Sequence, residues 1–213
     1  MKTEALIKLL AAGPEVSVPA PPVWRNTLLI GGAVLVSTML MMALLGLRQD
    51  LLVVATLPTF VLKVVFVAAL VLSGKIAITR LSRPGASLGM LPVLIATPLL
   101  IMAGMALLTL AEAAPAQRAA LFWGDTWQSC AFIIAELSLP IFAAILIVMR
   151  DLAPTRLRLA GAAAGFTAGA AAAVVYCLHC PEIAAPFVAF WYVLGMVIPA
   201  GLGALLGPRV LRW

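Results

Sequence analysis

The sequence predicts an all-α fold. It reads as a polytopic membrane protein with six transmembrane helices, both termini cytoplasmic, and a short cytoplasmic helix at the N-terminus. Three observations carry this. Of 213 residues, 64% are hydrophobic and only 22 are charged (14 Lys+Arg, 8 Asp+Glu), whereas a soluble domain is about half apolar and about a quarter charged. Mean hydropathy is +1.16. The apolar residues fall into six runs, each near the roughly 20 residues needed to cross a bilayer. The basic residues lie almost entirely on one side of those runs. The same figures exclude a disordered chain and a large extramembrane catalytic domain.

The chain divides into residues 1–25, a cytoplasmic N-terminal helix with a Pro-rich linker, and residues 26–213, the six-helix transmembrane domain. Thr3 to Ala12 forms a short amphipathic helix. Thr3 can cap its start, Gly13 can end it, and Leu6, Ile7 and Leu10 share one apolar face. Lys8 interrupts this stretch and Gly13-Pro14 ends it, so a signal peptide is not expected. Pro19, Pro21 and Pro22 make an extended linker. The helix suits either the lipid surface or a groove on a partner. The spans follow at about 27–47, 51–73, 91–110, 130–149, 159–178 and 186–206, bounded by charge, Pro or Gly. In lipid each must be helical, because an unpaired backbone group has no water to bind. Pro58 and Pro140 are candidate kinks in the second and fourth spans.

With the N-terminus inside, eleven basic residues face the cytoplasm: Lys2, Lys8, Arg25, Lys75, Arg80, Arg83, Arg150, Arg156, Arg158, Arg209 and Arg212. Only Arg48 and Arg118 face outward, and Lys63 is inside a span. The net charge of +6 is therefore a topology signal; no nucleic-acid partner is expected. Trp24 and Trp213 mark the inner interface, and Trp123, Trp127 and Trp191 the outer one.

Two ionisable residues, Lys63 and Glu136, sit inside spans. Such residues are costly there and are functional candidates by default. Their opposite signs allow a structural pair; a proton or ion pathway, or no contact, are the alternatives. Gly161, Gly165 and Gly169, spaced by four along the fifth span, let a neighbouring helix approach closely. No repeat relates the two halves, which argues against an inverted-repeat transporter.

The three cysteines, Cys130, Cys177 and Cys180, all fall at the outward, oxidising face. They fit a disulfide with one thiol left over. They also fit a soft-metal site of Cys130, Cys180 and His179, or redox exchange through Cys177-x-x-Cys180. A small buried hydrophobe is a further reading, strongest for Cys177. There is one His and no catalytic set, phosphate loop or carboxylate pair, so the chain reads as a non-enzyme without a resident cofactor.

Particular blocks carry a resemblance. The start Met1 to Ala11, Trp127-Gln128-Ser129-Cys130, His179-Cys180-Pro181-Glu182 through Phe187, Trp191-Tyr192, Leu194-Gly195-Met196 and Gly203 through Arg209 resemble the NrsF family over essentially the whole chain. These are anti-sigma factors of the bacterial inner membrane that oppose an extracytoplasmic-function sigma factor of the sigma F type. The resemblance implies that Cys130 and Cys180 are periplasmic thiols sensing heavy-metal or oxidative stress, with a thiophilic ion as a transient ligand. It assigns no role to Cys177. It implies that the helix of Leu6, Ile7 and Leu10 helps hold the sigma factor, and that sigma is released when the thiols are altered. A membrane thiol–disulfide oxidoreductase or a small transporter is the alternative.

Overall fold

The computed structural model describes residues 3–12, 23–83, 87 and 89–212. Most of the Pro-rich linker, Lys2 and Trp213 lie outside the described residues, as does the side chain of Leu10.

Among the described residues all regular structure is helical. Helix α1 (Thr3–Ala11) stands apart in sequence. The apolar runs become α2 (Val23–Leu44), α4 (Pro58–Leu81), α5 (Leu91–Glu112), α7 (Trp127–Arg150), α8 (Leu157–Tyr176) and α9 (Ala185–Val210). Each is long and apolar enough to span a membrane. Two short helices lie between them, α3 (Leu51–Val54) and α6 (Pro115–Trp123).

The second span departs from expectation. It starts at Pro58, not Leu51, because Pro58 sits in the first turn of α4. There its fixed φ suits the helix and its missing N–H costs nothing. The residues before it, though equally apolar, form the separate α3. Pro58 thus opens a helix rather than bending one, whereas Pro140 does lie inside α7.

An ion pair from Arg25, at the start of α2, to Asp151, just after α7, places these points at one end of the bundle. Alternating helix directions bring the start of α7, the end of α8 and the start of α9 together at the other end, with all three cysteines.

Helix α8 is the axis, packed against α4, α7 and α9. Its glycines explain how. A Cβ on Gly161 would strike the Gly203 carbonyl, one on Gly165 the Pro199 carbonyl, and one on Gly207 the Leu157 carbonyl. The small-residue stripe is therefore a backbone-to-backbone seam between α8 and α9, as the four-residue spacing predicts. Buried serine hydroxyls, each also within reach of a carbonyl four residues back in its own helix, link other pairs. Ser37 Oγ donates to the Leu137 carbonyl at 2.8 Å, joining α2 to α7, and Ser73 Oγ to the Leu94 carbonyl at 3.0 Å, joining α4 to α5.

Candidate functional site

Cys130 lies in the first turn of α7. Beyond α8 the chain turns tightly, with the Cys180 amide donating to the Tyr176 carbonyl at 2.9 Å. This turn folds Cys180 back into the bundle. Both side chains are fully buried in one cluster, all three cysteines are free thiols, and the thiols of Cys130 and Cys180 lie close enough to influence each other. The Cys130 thiol beside it, followed by the nearby positive charge of Lys63, outweighs desolvation and holds the Cys180 thiol below its ordinary value. Burial pushes the Cys177 thiol up to about 11. Of the buried pair, Cys180 is the thiol whose surroundings favour the thiolate; Cys177 is packed in the apolar core.

Sequence reasoning missed most of the surroundings. Tyr176 and Tyr192 pack with ring centroids 5.9 Å apart. Tyr192 lies in a π-helical turn, Val188–Tyr192, inside α9; such turns re-aim side chains at functional places. It is fully buried, and its hydroxyl has no partner in good hydrogen-bond geometry. Trp123, Trp127 and Trp191 are not only interface markers. They stack into one cluster with Phe122 and Phe190, and Trp191 Nε1 donates to the Phe122 carbonyl at 3.0 Å.

Three side chains fasten the segment after Tyr176. Arg48, in the sequence merely an exception to the charge bias, donates from one guanidinium nitrogen to the carbonyls of Cys180 (3.3 Å) and Pro181 (3.0 Å). Its other nitrogens grip Asp50. His179 Nδ1 bonds the Gly46 carbonyl at 3.0 Å; a carbonyl only accepts, so Nδ1 carries the proton. Lys63, 1% exposed, donates from Nζ to the Glu182 carbonyl at 2.7 Å and the Cys180 carbonyl at 3.5 Å. The same nitrogen lies 4.7 Å from the Tyr192 ring centre. Glu182 in turn accepts the Asp125 amide at 2.8 Å. Gly124, at φ +56°, lets that loop approach: a Cβ there would meet the Glu182 carboxyl and Phe187 at 2.8 Å.

Two sequence expectations are corrected. Lys63 and Glu136 do not pair. The Lys63 ammonium is turned to the Glu182 and Cys180 carbonyls instead, and no ion pair joins it to Glu136. Glu136 also lies on the exposed stripe of α7 with Phe132, Leu139 and Ile147. Nor do Cys130, Cys180 and His179 form a set: the Gly46 carbonyl holds the imidazole, and among the described residues no group of three His, Cys, Asp or Glu side chains is arranged to take a metal.

The burial of the thiol pair has a measurable consequence. A bulky, membrane-impermeant maleimide is expected to label Cys130 and Cys180 in the folded protein at least about tenfold more slowly than in unfolded chain, since labelling must wait for local opening. Equal rates would show that the pair is open to solvent.

On α1, Leu6 is 45% and Ile7 59% exposed.

The fold and this site define a class: an all-helical, multi-pass protein whose chemistry is gathered in buried thiols at one end of the bundle. The chain belongs to the NrsF family, negative regulators of sigma F, whose profile matches residues 10–213. It is 54% identical, over the full length of both chains, to the probable anti-sigma-F factor NrsF of Azospira oryzae. It is 37% identical, again over both full lengths, to the anti-sigma-F factor NrsF of Caulobacter vibrioides. Both relatives are named as regulators, not enzymes. No solved structure matches the chain.

Proposed function

We propose that this protein is a membrane-bound anti-sigma factor that sequesters an extracytoplasmic-function sigma factor of the sigma F type. It releases that factor when the Cys130–Cys180 pair is altered by an oxidant or a thiophilic metal ion. In this reading the protein sits in the bacterial inner membrane, the arginine-rich end and both termini face the cytoplasm, and the thiol end faces the periplasm. No resident cofactor takes part. The observation that carries the reading is the 54% identity to a probable anti-sigma-F factor over the whole of both chains.

The geometry supports the two halves separately. An amphipathic helix with Leu6 and Ile7 exposed suits a groove on a partner protein. A buried thiol pair, one member of which is held below its ordinary ionisation range, suits a reagent-sensitive element in a bundle with two packings.

Co-purification tests the partner. Pull-down of the full chain from unstressed cells is expected to bring a sigma factor with it, and that factor is expected to leave on treatment with an oxidant or a thiophilic metal. Cys130→Ser and Cys180→Ser are each expected to keep the sigma factor bound under the same stress. Absence of any sigma factor in the pull-down would refute the reading.

A further inference from the structure

We propose that Lys63 is a positioning residue for the thiol pair: its two carbonyl contacts hold the segment 180–182 so that the Cys180 thiol rests on that of Cys130.

Three observations converge. Lys63 is among the largest fully buried side chains, and a buried ammonium normally finds a carboxylate. Among the described residues no carboxylate lies within ion-pair reach of it. Its nitrogen is spent instead on the carbonyls of Cys180 and Glu182 and on the face of Tyr192. The segment it holds is the only connection between α8 and α9, and within it Cys180 has no helix of its own to fix it. Arg48 binds the same segment through the carbonyls of Cys180 and Pro181, but from its outer side, where Asp50 shares the guanidinium. Lys63 is the contact made from beneath, out of α4. The chemistry needs such a hold, because a disulfide forms only when the two Cβ atoms come within about 4.5 Å.

The inference rests on the thiol reading above for its regulatory meaning, and bridging on purified protein is measured apart from sigma release, so the two can fail separately. The test uses the full chain in detergent micelles or nanodiscs, in a Cys177→Ser background that leaves one possible bridge. Diamide is the oxidant. Two S–H bonds break, one S–S bond forms, and two electrons and two protons pass to the azo group, giving the hydrazine. Bridging is followed by blocking the remaining thiols and weighing the intact chain.

Lys63→Met keeps the unbranched stem that lines the roughly 310 Å³ cavity beside Leu62, Met102 and Val188 and removes only the donor. It is expected to slow bridging about tenfold, because loss of proximity is felt directly in an intramolecular step. Alkylation of each thiol in unfolded chain and the thermal midpoint of the bundle are expected to stay near those of the parent. Lys63→Arg, which restores donors to the carbonyls, is expected to recover most of the rate. Bridging at the parental rate in Lys63→Met would overturn the inference. So would equal impairment of both variants with a collapsed midpoint, which would make Lys63 a purely structural residue. Failure of the parent itself to bridge would overturn the thiol-pair reading and this inference with it.

Discussion

Gly165→Ala is expected to lower the thermal midpoint of the bundle by on the order of 10 °C, whereas Gly104→Ala is expected to leave it unchanged or raise it slightly. The added Cβ at Gly165 would overlap the Pro199 carbonyl, with the Pro199 carbonyl carbon and the Ala200 amide crowded behind it. These are backbone atoms of α9 and cannot swing aside as a side chain does. Moving α9 outward would open the seam at Gly161–Gly203 and Gly207–Leu157 as well, since all three contacts lie along one pair of helices. Overpacking of this kind costs about 3 kcal/mol or more, and a domain of this length loses roughly 2–4 °C per kcal/mol. At Gly104 a Cβ meets nothing within 4 Å, and alanine gains roughly 1 kcal/mol of helix propensity over glycine. Heating followed by size-exclusion chromatography in detergent reads both outcomes. Equal midpoints for the two variants would show that the α8–α9 seam is not closed.

This seam was legible in the sequence because only backbone contact requires glycine every fourth residue on a helix that is otherwise alanine-rich. The six long helices were legible for a related reason: lipid leaves a helix as the only way to pair the backbone of an apolar run. Neither argument reads direction around a helix. In α7 nearly every residue is apolar, so the sequence carries no contrast between the inward stripe of Cys130, Ile134, Leu137 and Ile141 and the outward stripe that holds Glu136. Opposite charges in the second and fourth spans therefore allowed a pairing that the structure does not make. The start of α4 was misplaced because Leu51 to Leu57 is as hydrophobic as the helix after it, and hydropathy does not distinguish a proline that bends a helix from one that begins it. The thiols stood out in the sequence, since cysteine is rare and chemically distinct. What fastens them was not, because Lys63 and Arg48 bind carbonyl groups, which every residue possesses and no pattern of side chains marks. The position of Arg48 on the sparsely charged side of the spans was the available signal. A basic residue that breaks a strong topological bias has a local task, and here that task is to hold the turn carrying Cys180.

Replacing Leu6 and Ile7 together by glutamate is expected to switch the sigma-dependent genes fully on without any stress. Both side chains are exposed on α1, and burying such a side chain in a partner's groove is worth about 1.5–3 kcal/mol. Losing two contributes about 3–6 kcal/mol, or roughly 10²–10⁴-fold in affinity, enough to empty a complex of ordinary strength. The substitutions lie outside the bundle, so its thermal midpoint and the bridging rate of Cys130 and Cys180 are expected to be untouched. The thiol variants are expected to show the opposite phenotype: Cys130→Ser holds the sigma factor and no longer answers to stress. Combining the two decides the order of events. If the thiols act by loosening a grip that α1 provides, the chain carrying Cys130→Ser with both glutamates has nothing left to loosen, and its reporter output is expected to be as high as that of the double-glutamate chain alone. A combined chain that stays repressed would mean that the grip resides elsewhere on the arginine-rich end and that α1 is not the element the thiols control. Reporter output and sigma co-purification, measured together on the four chains, separate these cases, because a destabilised bundle would lose both the protein and its partner, whereas a failed grip loses the partner alone.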